Sequence, residues 1–215
     1  MNQTMTGLSI EIYSDVVCPW CYVGKRRLEQ ALDAVPEGNS AQVIWRPFQL
    51  NPTMPRAGLD RRVYLEAKFG GPAEMKAIEE RVAAAGLSAG LDFAFDRMER
   101  TPNTLDAHSL IWLARQEGRQ DEVVEALFHG YFMEGLDIGQ VATLVSIAIG
   151  AGLDGDQVTR GLQSEEVAKA VRLEEARGHQ LGIRGVPYFV LNGKTTVSGA
   201  QPVETFVSKI AQATR

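Results

Sequence analysis

The feature that most constrains this chain is a Cys-x-x-Cys spacing, Cys18-Pro19-Trp20-Cys21, at a point where strand character gives way to helix character. Ser9 to Val17 is rich in Ile, Val and Tyr, which predicts a strand. From Pro19 to Ala34 the period turns helical: Val23, Leu28, Ala31 and Leu32 can share one face, with Lys25, Arg26, Arg27 and Glu29 largely elsewhere. Pro19 suits a first helical position, where no N–H bond is lost. Gln42 to Phe48 reads as a second strand, so the chain opens on a strand–helix–strand unit in which parallel pairing is natural.

Strand character then disappears for over a hundred residues. Gln49 to Ala57 holds Pro52 and Pro55 and reads as a loop. Asp60 caps a predicted helix through Phe69, Pro72 opens another through Ala85, and Leu91 to Thr101 is loop or short extended chain. Asn103 or Thr104 caps a helix through Gln116. Further helices fit Asp121–Met133, Val141–Ala151, a short one capped by Asp154, and Glu165–Leu181 with Gly182 as the stop. Tyr188–Leu191 and Thr195–Ser198 flank Asn192-Gly193, a strong hairpin signal, and a last helix fits Pro202–Ala213. This order implies one α/β domain interrupted by a helical insertion: residues 1–57 and 164–215 form its two parts, and 58–163 the insertion.

The placement of the cysteines carries the chemistry. A cysteine at a helix start faces unpaired backbone N–H groups and the positive end of the dipole, both of which favour thiolate. Such thiols span pKa values of roughly 3.5–7.5, and thiolate is the attacking species in disulfide exchange. Cys18 is therefore the expected nucleophile, and Cys21, one turn deeper, the expected resolving thiol. Structural zinc usually takes four Cys or His ligands. Here the two cysteines are joined only by His108, His129 and His179, scattered without ligand spacing, so no metal site is expected. Haem attachment would place His after the second cysteine, where Tyr22 stands.

Composition narrows the partners. With a net charge of −5 and a pI near 5.3, no basic patch suggests nucleic acid. The most apolar helical stretch, Val141–Ile149, is too short to span a bilayer. Met1–Gly7 lacks the features of a signal peptide. The cytoplasm is the expected compartment, where a lone cysteine pair reads as catalytic rather than structural.

A second motif, Gly185-Val186-Pro187-Tyr188, precedes the hairpin. Its proline is either cis in a tight turn or trans at a strand start. Together with Cys18-Pro19-Trp20-Cys21 it resembles the DsbA-like branch of the thioredoxin superfamily. The run Tyr13-Ser14-Asp15-Val16-Val17 before Cys18, then Pro47-Phe48-Gln49-Leu50-Asn51-Pro52, Asn103-Thr104-Leu105-Asp106-Ala107-His108 and Val197-Ser198-Gly199-Ala200-Gln201-Pro202, is similar to the FrnE-like subgroup over nearly the whole chain.

The resemblance implies a thioredoxin-like fold with a large all-helical insertion and a protein disulfide oxidoreductase or isomerase activity. It also implies a cis Pro187 lying against Cys18, with the Val186 backbone open to an extended substrate. Relatives of the same architecture, kappa-class glutathione transferases and 2-hydroxychromene-2-carboxylate isomerases, usually carry serine where this chain has Cys18. The family further implies an acidic residue beneath the resolving cysteine; Glu11 and Asp15 qualify, sharing a face if the strand is regular.

Other residues carry weaker expectations. Pro19, Trp20 and Tyr22 are expected to contact substrate, and Tyr188 to flank the groove. His108, Asn51 and Asn103 are polar candidates from the helical block and its approach. Arg56, Arg61 and Arg62 form a basic cluster that reads as a solvated helix start or a carboxylate site. No tightly bound cofactor is implied; glutathione is the expected co-substrate beside protein thiol and disulfide clients, for a monomer or homodimer. A glutathione-dependent transferase or isomerase, and a non-enzymatic holdase, remain the alternatives.

Overall fold

The computed structural model describes residues 7–36 and 40–215. The leading segment read above for a signal therefore lies, but for Gly7, outside the described residues. The first strand, β1 (Ser9–Ser14), enters helix α1 (Pro19–Asp33) through a short turn, and β2 (Gln42–Pro47) follows. Two-residue strands β3 (Leu59–Asp60) and β4 (Arg100–Thr101) pair antiparallel. Around them stand α2 (Arg61–Phe69) and α3 (Pro72–Ser88). The helical run continues with α4 (Leu105–Gln116), α5 (Gln120–Phe132), α6 (Val141–Gly150) and α7 (Gly155–Leu162). Then come α8 (Glu165–Gln180), β5 (Tyr188–Leu191), β6 (Thr195–Ser198) and α9 (Val203–Ala213).

The main sheet runs β2-β1-β5-β6, with β1 parallel to β2 and the other pairs antiparallel. This is the expected DsbA-like arrangement, an α/β sheet with a helical block between β2 and α8. Strand alternation sorts the sheet's faces. Ile10, Ile12, Ser14 and Phe189 face α1 and α9, where Phe189 meets Phe206 edge-on at 4.8 Å. Glu11 and Tyr13 face the other way, toward α8, where Gly178 leaves room for the Tyr13 ring.

Capping follows the sequence signals. Asp60 accepts from the Val63 N–H at 2.9 Å and Asp154 from Gln157 at 2.8 Å. The Asn192-Gly193 turn has both residues at positive φ, 48° and 68°, as a primed hairpin turn requires. Asn192 also accepts from Ser9 N–H at 2.8 Å and donates to the Ala213 carbonyl at 3.0 Å, tying the hairpin to both chain ends of the sheet layer.

Two departures from the sequence reading matter. The first strand ends at Ser14 rather than Val17, because the Asp15 carbonyl accepts from Cys18 N–H at 3.0 Å and closes a turn. The β3–β4 ladder was not foreseen as a pairing: β4 lies at the end of the stretch read as loop or short extended chain, β3 just ahead of the helix capped by Asp60, and Gly58 lets the chain pass close to it, since a Cβ there would sit 2.7 Å from the Thr101 carbonyl.

β2 is an edge strand, and its exposed edge is occupied by a side chain. Gln120 accepts from the Trp45 N–H at 3.0 Å and donates to the Trp45 carbonyl at 3.1 Å, standing in for a neighbouring strand. The Trp45 indole N–H donates to Asp121 at 3.0 Å, so the start of α5 is fastened to this edge.

Candidate active site

Cys18 is the N-cap of α1 (φ −93°, ψ 110°), with Pro19 in the first helical turn. The turn before it aims the Sγ at the Gly185-Val186-Pro187 motif: the Cys18 thiol donates to the Val186 carbonyl at 3.7 Å, and the Val186–Pro187 peptide is cis. α1 seats against this loop through Gly24. A Cβ at Gly24 would lie 3.0 Å from Pro187 Cγ and 3.1 Å from the Phe189 ring. The loop is held from behind by Gly199, whose N–H donates to the Pro187 carbonyl at 2.8 Å, and Arg27 of α1 donates to the Ala200 carbonyl at 2.6 Å. The run Val197–Pro202 thus works as the brace of the proline loop.

Both cysteines are free thiols. Cys21 is 1% exposed and Cys18 5%. Burial, then the adjacent Cys18, pushes the Cys21 thiol well above the ordinary thiol range; the Ser14 hydroxyl and the Asp15 backbone N–H pull the other way and are outweighed. Ser14 was not anticipated, though alternation with Ile10 and Ile12 puts it on the α1 face of the strand.

The acid candidates part company. Glu11, on the α8 face, takes a guanidinium N–H of Arg46 at 2.8 Å, and Arg46 also meets Glu174 at 3.0 Å. It stands across the sheet from α1 and the cysteines, which removes it as a proton shuttle. The shared-face expectation fails because Asp15 lies in the turn, beyond the regular strand. Asp15 is 1% exposed and accepts from Leu50 N–H at 2.7 Å. Its second oxygen faces His108 Nε2 at 3.4 Å, and among the described residues neither atom has another polar partner. Next to it, Glu175 of α8 accepts from Gln49 N–H at 2.6 Å. Two buried carboxylates therefore hold successive amides of the loop after β2.

That loop walls a cleft of about 900 Å³, including the space open to solvent, between the cysteine turn and the helical block. Asp15, Val17, Cys18, Pro19 and Trp20 form one side, with Leu50, Asn51 and Met54 beside them. Tyr64, Leu65, Lys68 and Phe69 of α2 stand opposite, and Phe95, Met98 and Pro102 close the floor. The apolar face of α2 was not foreseen as a wall of this cleft, because nothing in its period distinguishes a cleft from a core.

Several expectations change. Tyr22 does not line the cleft: it is 1% exposed, stacks on Phe128 at 4.9 Å and donates to Glu125 at 2.7 Å, on the side of α1 that packs against α5. Tyr188 is half-buried on the α8 face of the sheet. His108 lies behind Asp15 rather than facing the thiols. Asn51 lines the cleft, with its amide on the Tyr64 hydroxyl at 3.4 Å; Asn103 instead braces the fold, donating to Met54 and accepting from Leu105 N–H. The basic cluster splits: Arg61 is buried against Glu79 at 2.7 Å and lines the cleft, while Arg56 and Arg62 stay in solvent. No group of three or more His, Cys, Asp or Glu side chains that could hold a metal occurs among the described residues.

Comparison with known proteins gives the same frame. The model of the DSBA-like thioredoxin domain matches residues 9–211. The uncharacterized protein YwbO of Bacillus subtilis is 27% identical over 203 residues, covering 94% of this chain and 95% of its own. The crystal structure of a probable DsbA oxidoreductase from Streptomyces coelicolor superposes with a TM-score of 0.89 at 36% identity, over 96% of this chain and 89% of that one. A 2-hydroxychromene-2-carboxylate isomerase shares the fold, with a TM-score of 0.73 at 13% identity over 95% of both chains. With the Cys18–Cys21 turn, the cis Pro187 loop and a family match that runs from β1 to α9, this chain belongs to the DsbA-like thioredoxin family.

Proposed function

We propose that the protein is a thiol–disulfide oxidoreductase working through the Cys18-Pro19-Trp20-Cys21 dithiol on protein or low-molecular-weight thiols and disulfides, glutathione among them. The observation that carries this reading is the asymmetry of the pair. Cys18 caps α1 at the wall of an open cleft, whereas Cys21 is sealed one turn below it with its thiol held protonated by burial.

The asymmetry divides the work. Cys18 thiolate attacks one sulfur of a substrate disulfide; the Cys18–substrate bond forms as the substrate's own S–S bond breaks and the first thiolate leaves. Cys21 then loses its proton, attacks Cys18 Sγ and expels the second thiolate. Two electrons have passed from the dithiol to the substrate, and the reverse sequence oxidises a client. Pro187 and the Val186 backbone position an extended substrate at Cys18, in the manner of strand addition. Pro19 and Trp20 contact it from the cysteine side. Asp15, buried in the cysteine turn with His108 behind it, serves as the proton acceptor or donor of the second step. The reading includes a cytoplasmic setting, where a lone dithiol is kept cycling rather than locked as a structural bridge. Among the described residues no helix is long and apolar enough to cross a membrane.

Trapping tests it. Cys21→Ser should accumulate mixed disulfides with clients or glutathione, visible by mass and on non-reducing gels, and Cys18→Ser should accumulate none. A Cys21→Ser variant that traps nothing and retains full turnover in a glutathione-dependent transfer would instead make the protein a transferase or isomerase. A Cys18→Ser, Cys21→Ser double variant that still prevents client aggregation with no exchange activity in the native chain would make it a holdase.

A further inference from the structure

Before Cys21 attacks Cys18 it must part with a proton that burial holds on its sulfur. Besides Cys18, the side chain that bears on that sulfur is Ser14, whose hydroxyl favours the thiolate; Asp15 bears on it through its backbone N–H. The Asp15 carboxylate is turned elsewhere, one oxygen to Leu50 N–H at 2.7 Å and the other to His108 Nε2 at 3.4 Å. The acid that lines the cleft and the hydroxyl beside the buried thiol are separate groups. A hydroxyl both donates and accepts, so it passes a proton on without keeping it.

Ser14 opens onto a second, much smaller chamber, between the end of β1 and β2 on one side and α4 and α5 on the other. About 10 Å³ of it is open to the centre of a water molecule, which is room for one. Its walls are largely apolar, Trp45, Ile111 and Val124 among them. The Arg46 guanidinium is taken up by Glu11 and Glu174, and the Trp45 indole N–H by Asp121. Ser14 and His108 are the polar side chains left on this wall, 5% and 3% exposed. Among the described residues Ser14 Oγ has no hydrogen-bond partner, and His108 Nε2 has none but the facing Asp15. Buried polar groups left unpaired are costly, and one enclosed water with two or more such partners is the usual way they are satisfied.

Resting on the oxidoreductase reading above, we infer that this chamber binds one water bridging Ser14 and His108, and that Ser14, the water, His108 and Asp15 form the proton route between Cys21 and the cleft. In the resolving step the Cys21 proton passes to Ser14 Oγ as the Ser14 proton passes to the water and a water proton to the His108 imidazole. Cys21 thiolate attacks Cys18 Sγ; the Cys18–Cys21 bond forms as the Cys18–substrate bond breaks, and that electron pair leaves with the substrate sulfur. His108 hands a proton from Nε2 to Asp15 at the cleft wall, where the departing thiolate takes it up. One proton has gone from Cys21 to the released thiol, and the water and side chains are restored. Oxidation of a client runs the same route backwards.

The test separates the two thiol steps. Reduced protein is mixed with excess 2-hydroxyethyl disulfide in a stopped-flow instrument, followed by tryptophan fluorescence, with acid quench and mass to count the mixed disulfide on Cys18. The first phase, attack by Cys18, depends on disulfide concentration; the second, attack by Cys21, does not. Ser14→Ala and His108→Gln, each checked for native melting, should leave the first phase unchanged and slow the second by about a hundredfold, the lower end of what a positioned proton-transfer group contributes. The mixed disulfide should accumulate in both. His108→Gln keeps a polar partner for the water but carries no proton, and Ser14→Thr, which keeps the hydroxyl, should recover the second phase. A crystal structure of the reduced native protein should show one water hydrogen-bonded to Ser14 Oγ and His108. No water there, or a second phase unchanged in Ser14→Ala or in His108→Gln, would overturn the inference; a water with unchanged rates would be a structural water only. Both phases slowed alike, or Ser14→Thr no faster than Ser14→Ala, would also overturn it, as the mark of a packing defect. In each of these cases the oxidoreductase reading stands. If the native protein never closes the Cys18–Cys21 disulfide, that reading fails, and this one with it.

Discussion

Four residues set the character of the site: Cys18, Cys21, Ser14 and Gly24. The raised pKa of Cys21, due first to burial and then to Cys18, means that its thiol stays protonated at neutral pH. Iodoacetamide at pH 7 should therefore modify Cys18 in the reduced native protein and spare Cys21 until the pH is raised well into the alkaline range or the chain is unfolded. Peptide mapping of the label reads this directly, and equal labelling at pH 7 would contradict it. Gly24 is where α1 comes closest to the proline loop. Gly24→Ala puts a methyl within 3.0 Å of Pro187 Cγ and 3.1 Å of Phe189. It should cost about 1–3 kcal/mol as an overpacked contact, seen as a lower urea midpoint, and should slow exchange by displacing the loop from Cys18. At this scale much of the site was legible. Cys18, Cys21 and Pro187 announce themselves by motif, and the structure brings the Cys18 thiol to the Val186 carbonyl next to the cis Pro187. Glu11 and Asp15 were not separable, because which side of a sheet an acid faces depends on where the strand ends, and that is decided by one backbone hydrogen bond at Cys18. Tyr22 misled because adjacency to a reactive cysteine in a helix says nothing of direction: one residue along is a 100° rotation, here into the core.

The elements were easier to read than their contacts. Asp60, Asp154 and the Asn192-Gly193 turn are local signals, satisfied within a few residues, and the structure uses them in that way. The β3–β4 ladder and the Gln120 plug on the β2 edge are long-range pairings between segments whose own sequences carry no strand period. Gln120 gives an element-scale prediction. Replacing it by Leu leaves the Trp45 N–H and C=O buried without partners, at about 1–3 kcal/mol for each unsatisfied group. Gln120→Glu keeps the acceptor and loses the donor, and should fall between Leu and the native residue. Denaturant titrations should show lower midpoints with unchanged slopes; a Gln120→Leu variant as stable as the native protein would mean that the β2 edge is not sealed by this side chain.

Across the whole molecule, the helical block is fastened to the sheet layer by charge as well as by its apolar core. Lys25 is 3% exposed and meets Glu125 at 3.0 Å and Asp121 at 3.3 Å, with Glu29 completing the group, while Arg26 reaches Glu125 and Glu29. Burial opposes the charge on Lys25, yet Asp121, Glu29 and Glu125 together raise its pKa; burial likewise opposes ionised Glu125, and Arg26, Lys25 and Tyr22 together lower its pKa. The signs fix the pH window. The Glu125 contribution is present above the unfolded carboxylate value of about 4.3 and fades as pH falls through its depressed folded value. The Lys25 contribution is complete below about 10.4 and fades as pH rises through its raised folded value. Glu125→Gln, at a partly exposed position, should lose about 1 kcal/mol at pH 7 and progressively less as the pH falls below the carboxylate range, so its unfolding curve moves toward the native one in acid; a constant difference across pH would rule out an ionic origin. The class of fold was legible because a strand–helix–strand start, a long helical interval and a terminal hairpin admit few arrangements. The cleft was not, since it is made by α2 facing a turn some forty residues away. The measurement that tests the central claim most directly is the equilibrium of the native protein against a graded glutathione redox buffer, followed by tryptophan fluorescence with alkylation and mass as a check. The account predicts one reversible two-electron transition between the Cys18, Cys21 dithiol and an intramolecular disulfide; a pair that never closes at any buffer potential would contradict it.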